Sequence, residues 1–91
     1  MNEPMGDAAA ASARAEAVKA QYGRELMTRA NVVGVGIGYR QMRGETTGDI
    51  GLVVMVSRKV PRNQLAPEDV LPREIDGVPV DVQEVGELRA L

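Results

Sequence analysis

Three glycines alternate with apolar residues between Asn31 and Tyr39, and this spacing comes closer than any other in the chain to a ligand-binding motif. Turns that bind dinucleotides place glycines at the first, third and sixth positions of a segment that opens a helix. The sixth position is Tyr39 when counted from Gly34 and Gln41 when counted from Gly36, and no helical pattern follows. The chain also lacks the Gly-Lys-Ser/Thr sequence of a P-loop, so neither phosphate-binding motif is predicted.

The side chains that usually carry catalysis or bind metals are mostly missing. The 91 residues include no His and no Cys, which excludes a Ser-His-Asp triad, a cysteine nucleophile, thiolate zinc sites and disulfides. Ser12 and Ser57 are the only serines, and neither lies in a nucleophile elbow. We therefore predict no catalytic residue, no metal site and no cofactor. Candidate carboxylates lie in a Pro-rich segment or at a strand edge, where solvated charge is the expected role: Glu68, Asp69, Glu74, Asp76 and Asp81.

The composition also limits the classes of partner. Eleven basic and 13 acidic residues give a net charge of −2, whereas domains that bind nucleic acids usually carry a basic face. The chain has no Phe, no Trp and only two Tyr, which leaves few aromatic rings on which bases could stack. We therefore expect a protein partner and no nucleic acid.

The sequence contains no pattern that predicts a membrane span or a signal peptide. No segment reaches the roughly 18 consecutive apolar residues that indicate a membrane span. Residues 1–13 have neither the basic region nor the leucine-rich region of a signal peptide. We expect no membrane association and take the cytoplasm as the default location, which the absence of cysteine permits.

The length predicts one small domain. Residues 1–7 are small and polar and are predicted to be a disordered tail. Residues 87–91 are predicted to be a C-terminal tail or a truncated linker. Between these tails, residues 8–86 are predicted to form a single α+β domain.

A helix is predicted to open this domain. It starts near Ala8 or Ser12, where a polar side chain can cap it, and ends at Met27. Apolar residues recur within it at three- and four-residue steps, which is the spacing of one helix face. These residues are Ala15, Val18, Tyr22 and Leu26.

The glycine-rich segment predicts a strand with one apolar face and one bare face. Because glycine weakens a strand interior, three of them in alternation need a reason. A helix packed closely against the bare face is the expected reason. A ligand or a partner backbone on that face is a second possibility, and a bulge or bend is a third. The apolar residues are Val33, Val35, Ile37 and Tyr39, and the glycines are Gly34, Gly36 and Gly38.

The second half of the chain predicts two further strands. Ile50–Arg58 is apolar on both faces and is therefore expected to be central, after a hairpin connection over 41–49 that is longer than two residues. Val78–Val82 contains Pro79, which cannot donate to a ladder, so this strand is expected at an edge. Three prolines in 60–72 permit only a short helix.

These elements predict an α+β fold. The N-terminal helix packs on a small, mainly antiparallel, three- to four-stranded sheet, and a short Pro-rich helix crosses between the second and third strands. A fourth strand forms if residues 73–76 pair. Asp76-Gly77 is a tight-turn dipeptide ahead of the last strand.

A sheet of this kind can bind by adding a strand from another chain, with backbone hydrogen bonds giving affinity and side-chain pockets giving selectivity. We therefore favour binding over catalysis. The candidate interaction surface consists of the bare strand face and the aliphatic strand positions, namely Gly34, Gly36, Gly38, Leu52, Val54, Val56, Val78, Val80 and Val82.

Two stretches of the sequence resemble a known family. The first is Asn31–Gly38 (NVVGVGIG), and the second runs from Leu65 (LAPED), through Leu71-Pro72, to 75–82 (IDGVPVDV). Together they resemble the N-terminal region that precedes the catalytic domain in trypsin-like serine peptidases of the bacterial and plant narrow-leaf type. The element order is also similar to the pro-regions of bacterial chymotrypsin-like peptidases, whose small sheet docks edge-on to the enzyme.

The resemblance implies an accessory role. In that family the triad lies in the domain that follows, so no catalytic residue carries over to any position here, and we expect no enzymatic activity. The expected function is a non-catalytic, pro-region-like module that binds a peptidase-fold domain or itself through its sheet edge and apolar contacts. Whether the chain is a fragment or a stand-alone copy stays open.

Two other functions are kept as alternatives. A homo-oligomeric structural subunit is suggested by the two-sided strand Ile50–Val56 and by opposed charges, since residues 8–59 carry eight basic and four acidic groups while residues 60–91 carry three and seven. The other is binding of a small ligand or anion at the face formed by Gly34, Gly36 and Gly38.

Overall fold

The structure, a computed structural model, describes residues 4–86, with side chains from residue 8 onward. The predicted helix is confirmed, although it begins at Pro4 and ends at Leu26. Residues 1–3 of the predicted N-terminal tail and residues 87–91 of the C-terminal tail lie outside the described part, whereas residues 4–7, predicted as a disordered tail, belong to the helix. The elements are α1 (Pro4–Leu26), β1 (Val32–Met42), β2 (Glu45–Val56), β3 (Glu74–Ile75) and β4 (Val78–Glu84), with 3-10 turns at Arg62–Gln64 and Pro67–Asp69.

The four strands form one mixed sheet in the order β1-β2-β4-β3. β1 pairs antiparallel with β2, β3 pairs antiparallel with β4, and β2 and β4 run parallel. The predicted α+β class, with one helix on a small sheet, is confirmed, and the pairing of Glu74–Ile75 supplies the fourth strand. β2 is central, as its two apolar faces predict.

The parallel pairing explains the long segment between β2 and β4. Two parallel neighbours need a crossover of a dozen or more residues, because the chain must return to the same end of the sheet. Residues 57–73 make that return. The predicted short helix is replaced by the two 3-10 turns, since proline at positions 61, 67 and 72 interrupts helical hydrogen bonding.

Two tight turns set the strand lengths. Arg43 and Gly44 both have positive φ (53° and 80°), as do Asp76 and Gly77 (50° and 80°). This is the two-residue geometry that matches the twist of hairpin strands. The Asp76-Gly77 prediction is confirmed. The long connection predicted over 41–49 is wrong, because β1 and β2 continue pairing almost to the Arg43-Gly44 turn.

α1 packs on one face of the sheet and makes the core there. The helix stripe predicted from spacing is confirmed, because Ala15, Val18 and Leu26 are at most 4% exposed. They pack with every second residue of the central strands, which alternation directs to the same face. The buried strand residues are Leu52, Val54, Val56 and Val78.

Two expectations about the strands are corrected. Val35 and Ile37 pack against the core beneath α1, so the helix lies on the apolar face of β1 and not on its glycine face. β4 was expected at an edge, yet it lies between β2 and β3. Pro79 is tolerated there because it immediately precedes Val80, where pairing with β2 begins, so few ladder bonds are lost. The long outer strand is β1.

The crossover is fastened to the C-terminal end of α1. Asp69 Oδ1 accepts a hydrogen bond from Ala30 N at 2.9 Å, and the Arg29 guanidinium donates to the carbonyl oxygen of Glu68. Arg29 also forms an ion pair with Glu25 one helical turn earlier. These contacts hold the second 3-10 turn beside the helix end.

Candidate functional site

The outer part of the β1–β2 hairpin bends across the sheet face opposite α1. Gln41 N donates to Asp81 Oδ2 at 2.9 Å, although β2 separates β1 from β4 in the sheet. Asp81 lies between Val80 and Val82, whose side chains face the helix, so the Asp81 carboxylate lies on the opposite face of the sheet. We call this face the concave face, and hairpin residues 41–47 the arm.

An irregular register produces the bend. Tyr39 pairs with Ile50 but Gln41 pairs with Thr46. Residues 47–49 of β2 therefore lie opposite a single β1 residue, Arg40. Such a bulge bends the strand and increases its twist. Thr47 closes the irregular segment by donating its hydroxyl to the Arg40 carbonyl oxygen at 2.8 Å.

The arm reaches the far end of β4. A cleft of about 320 Å³ lies between the Arg43-Gly44 turn of the arm and the residues 81–84 of β4. On its β4 side, the Gln83 side-chain amide donates to Asp81 Oδ2 at 2.9 Å, the same oxygen that accepts from Gln41 N. One carboxylate therefore ties the arm to β4.

The alternating glycines lie on the concave face, where side chains from β2 cover them. A Cβ at Gly34 would lie 2.8 Å from Met55 Cε, and a Cβ at Gly38 would lie 3.4 Å from Val53 Cγ2. The absence of a Cβ at Gly34 therefore leaves room for the Met55 side chain.

The outer edge of β1 is the longest row of backbone groups without a strand partner in the described residues. Val85 N donates to the Val56 carbonyl oxygen, so the backbone N–H and C=O groups of Val56 point toward β4. Because backbone direction alternates along a strand, every second residue of β2 before Val56 points the same way. The β2 residues between them point toward β1, where their partners are Gly34, Gly36 and Gly38. The other β1 residues direct their N–H and C=O groups away from the sheet; they are Val35, Ile37 and Tyr39.

This edge lacks the usual protection against pairing. Exposed edge strands normally carry charges or proline that block a second chain. Val32–Tyr39 contains neither, and the first charge is Arg40. A register shift between Val32 and Gly34 interrupts the start of the strand, which leaves Gly34–Tyr39 as a regular section. Tyr39, the last residue of this section, is 52% exposed.

The nine residues of the predicted interaction surface divide between the two sheet faces. The three glycines lie on the concave face. Val80 and Val82 are partly buried and pack against the core on the helix side. Four others are 0–4% exposed in the core and offer no side-chain surface to a partner: Leu52, Val54, Val56 and Val78.

Sequence reasoning missed the two features that shape the concave face. The first is the outward-pointing backbone of β1, for which the uncharged run Val32–Tyr39 was an available signal. The second is the Asp81 carboxylate. Its position between two core valines was visible in the sequence, but its partner Gln41 lies 40 residues away and only the bend brings the two together.

The described side chains form no buried polar cluster. Within residues 8–86 no polar or charged side chain is buried, and no three His, Cys, Asp or Glu residues gather as a metal site would require. No helix in the described chain has the length and apolar character needed to cross a membrane. At the outer edge of β1, backbone pairing and apolar contact are the interactions that the strand can supply.

The comparison with known proteins identifies the family. No curated protein matches the chain. The family model described as NARROW LEAF 1 N-terminal domain matches residues 16–85, which include β1–β4 and the C-terminal part of α1 from residue 16 onward. The chain therefore belongs to the NARROW LEAF 1 N-terminal domain family.

Proposed function

We propose that the chain is a non-catalytic protein-interaction module that binds a trypsin-like peptidase domain by adding a partner strand to the outer edge of β1. The observation that carries the proposal is the long, uncharged and unpaired edge over Gly34–Tyr39. In a domain of this size such an edge would promote aggregation unless something covers it.

The geometry supports strand addition over other modes of binding. Alternate β1 residues direct both an N–H and a C=O outward, so a partner strand would gain backbone hydrogen bonds at each of them. Each such bond contributes about 0.5–1.5 kcal/mol net. The glycines next to these positions leave the concave side of β1 without side chains, and larger partner side chains could lie there and supply selectivity.

The choice of a peptidase domain as partner rests on the resemblance of the sequence. The motifs in 31–38 and 65–82 are similar to the region that precedes the catalytic domain in narrow-leaf-type serine peptidases. The family name describes an N-terminal domain, which supports a neighbouring domain as the partner. In this proposal the chain positions or assists that domain and supplies no catalytic side chain.

Replacement of Tyr39 tests the edge directly. Tyr39→Pro removes an outward N–H and places a ring where the partner strand would approach, whereas Tyr39→Ala removes the same side chain and keeps the N–H. Proline is tolerated at an edge strand when its nitrogen faces away from the sheet, and Gly38 before it accepts the extended conformation that proline favours.

Binding is measured by calorimetry against the catalytic domain of a narrow-leaf-type serine peptidase whose nucleophilic serine is replaced by alanine. We expect the unmodified chain to bind, Tyr39→Pro to lose about tenfold or more in affinity, and Tyr39→Ala to lose less than threefold, since tenfold corresponds to about 1.4 kcal/mol. Equal affinities for the two variants, or no binding by the unmodified chain, would contradict the proposal.

A second copy of the chain is the other candidate partner. An edge strand can pair antiparallel with its own copy about a twofold axis, because the same surface then meets itself. The opposed charges of the two parts of the sequence also favour self-association. Sedimentation over a wide concentration range separates the two cases, because a mass that stays at 9.7 kDa excludes the homo-oligomer.

Binding of a small ligand at the glycines is less favoured. Met55 Cε lies only 2.8 Å from the position that a Cβ of Gly34 would take, so a ligand there would have to displace the methionine.

A further inference from the structure

A second recess lies on the helix side of the sheet, away from the β1 edge. It has a volume of about 190 Å³ and lies between the crossover and the C-terminal ends of the parallel strands β2 and β4. Its apolar lining includes Val56, Leu65 and Leu71. Where parallel strands end, the diverging connections leave a crevice, and ligands of open α/β sheets bind there.

The opening of this recess carries an excess of positive charge. Arg58, Lys59 and Arg62 line it, and all three are exposed. Asp69 is the acidic residue in the lining, and its Oδ1 accepts a hydrogen bond from Ala30 N. Within the described part of the chain the ion pair found is Glu25–Arg29, so no described carboxylate pairs with the three cations.

The size of the recess limits what can occupy it. Pockets for drug-sized ligands measure about 300–1,000 Å³, so a recess of about 190 Å³ is too small for a nucleotide or a large cofactor. It suits one branched aliphatic group. An apolar floor beneath a cationic opening matches a molecule that has a hydrocarbon at one end and an anion at the other.

We propose that this recess binds an aliphatic carboxylate of about the size of a leucine residue. The branched hydrocarbon contacts Leu65, Leu71 and Val82, and the carboxylate lies among the guanidinium and ammonium groups of the opening. Arg62 is held in place because its Nη1 donates to the Leu71 carbonyl oxygen at 3.2 Å. The ligand is either a free short-chain acid or the C-terminal residue of a peptide, since the two share this chemistry.

Amide chemical-shift titration of the full chain tests the proposal with three probes: 4-methylpentanoate, its amide, and acetyl-Ala-Ala-Leu with a free carboxylate. We expect at least one of the two carboxylates to shift the amide signals of residues 56–60 and 65–71, and the neutral amide to bind at least fivefold more weakly. Binding of the tripeptide alone identifies a peptide C-terminus, and binding of 4-methylpentanoate identifies a free acid. Equal binding of acid and amide, or no shifts at millimolar concentration, overturns the proposal.

Charge removal gives an independent readout. Arg58→Gln with Lys59→Gln removes two cations whose side chains make no hydrogen bond within the described residues, so the fold should be kept. We expect affinity to fall about fivefold or more, because pairs at exposed sites contribute up to about 1 kcal/mol each. Arg73→Gln, an exposed arginine of the crossover outside the recess, is the matched control and should bind normally.

The salt dependence and the edge variant complete the test. Affinity should decrease as ionic strength rises, because the opening is exposed to solvent. Tyr39→Pro should leave carboxylate binding unchanged, since β1's outer edge and the recess are separate. Unchanged affinity in the double glutamine variant would refute the assignment, whatever the outcome at the edge.

Discussion

The two faces of β2 are made from neighbouring residues of the same strand but are stabilised in different ways. Leu52, Val54 and Val56 face α1 and are 0–4% exposed. Gly51, Val53 and Met55 alternate with them and face the concave side, where the arm and the glycines of β1 lie. The first face holds the domain together by burial. The second is shaped by bulges, glycines and one carboxylate, and it borders the open edge of β1.

This difference separates stability from binding within a single strand. A core face loses stability with almost any change, because close-packed side chains leave no room for adjustment. The concave face has few large side chains, so its residues can change without a large effect on folding except at Gly51, where the backbone of β4 lies close. A surface of that kind can diverge to suit a partner while the fold stays the same.

The largest expected effect comes from truncating the core face. Leu52→Ala should destabilise the domain by about 3 kcal/mol, since Leu52 is fully buried and its removal leaves a cavity. Val53→Ala, one residue along the strand, should cost about 1 kcal/mol or less because Val53 is only partly buried. Urea unfolding of both variants checks the comparison, and equal losses would mean that the concave face is also a core.

The next effect concerns the closest backbone approach on the concave side. A Cβ at Gly51 would lie 2.6 Å from the Pro79 carbonyl oxygen, which belongs to the backbone of β4 and cannot move without shifting the strand. Gly51→Ala should therefore destabilise by about 2 kcal/mol. Gly48→Ala is the control, because no atom lies within 4 Å of its Cβ position. A neutral Gly51→Ala would show that β2 and β4 are farther apart than described.

The sequence predicts the helix face well and the concave face poorly, for a physical reason. The stripe Ala15, Val18 and Leu26 and the strand alternation are local periodicities, and burial follows from them directly. The Asp76-Gly77 turn is also predicted from a local pattern, the two adjacent residues that form it. The bend of the arm depends on a register shift near Tyr39, and registers arise from the pairing of distant residues, which no local pattern reports.

Pro79 shows that a proline alone does not identify the edge strand of this sheet. Proline in a strand usually marks an edge, and β4 was expected there for that reason. In the fold Pro79 lies just before the first residue paired with β2, while the true long edge, β1, contains no proline. The absence of charge and proline over Val32–Tyr39 was therefore the better signal for the candidate site than the presence of Pro79.

A smaller effect is expected where the arm is tied to β4. Asp81→Ala removes the acceptor of the Gln41 N–H and should cost about 1 kcal/mol, mostly as loosening of the arm. Hydrogen exchange at the Gln41 amide should accelerate about fivefold, since 1.4 kcal/mol corresponds to tenfold. Asp49→Ala removes an exposed acid whose side chain makes no hydrogen bond within the described residues and should leave that amide unchanged. Equal exchange rates of the Gln41 amide in the two variants would show that Asp81 does not hold the arm.

The smallest effect should have the opposite sign. A Cβ at Gly36 would meet only Met55 Cε at 3.8 Å, an ordinary contact, and its φ is not positive. Gly36→Ala should therefore stabilise by about 0.5 kcal/mol, because alanine reduces the freedom of the unfolded chain. Gly34→Ala places a Cβ 2.8 Å from the same methyl group, which must turn aside, so that gain should vanish or reverse. Urea midpoints of the two variants measure the difference. If Gly36→Ala destabilised as much as Gly51→Ala, the concave face would be as tightly packed as the core, and the two faces of β2 would no longer differ in kind.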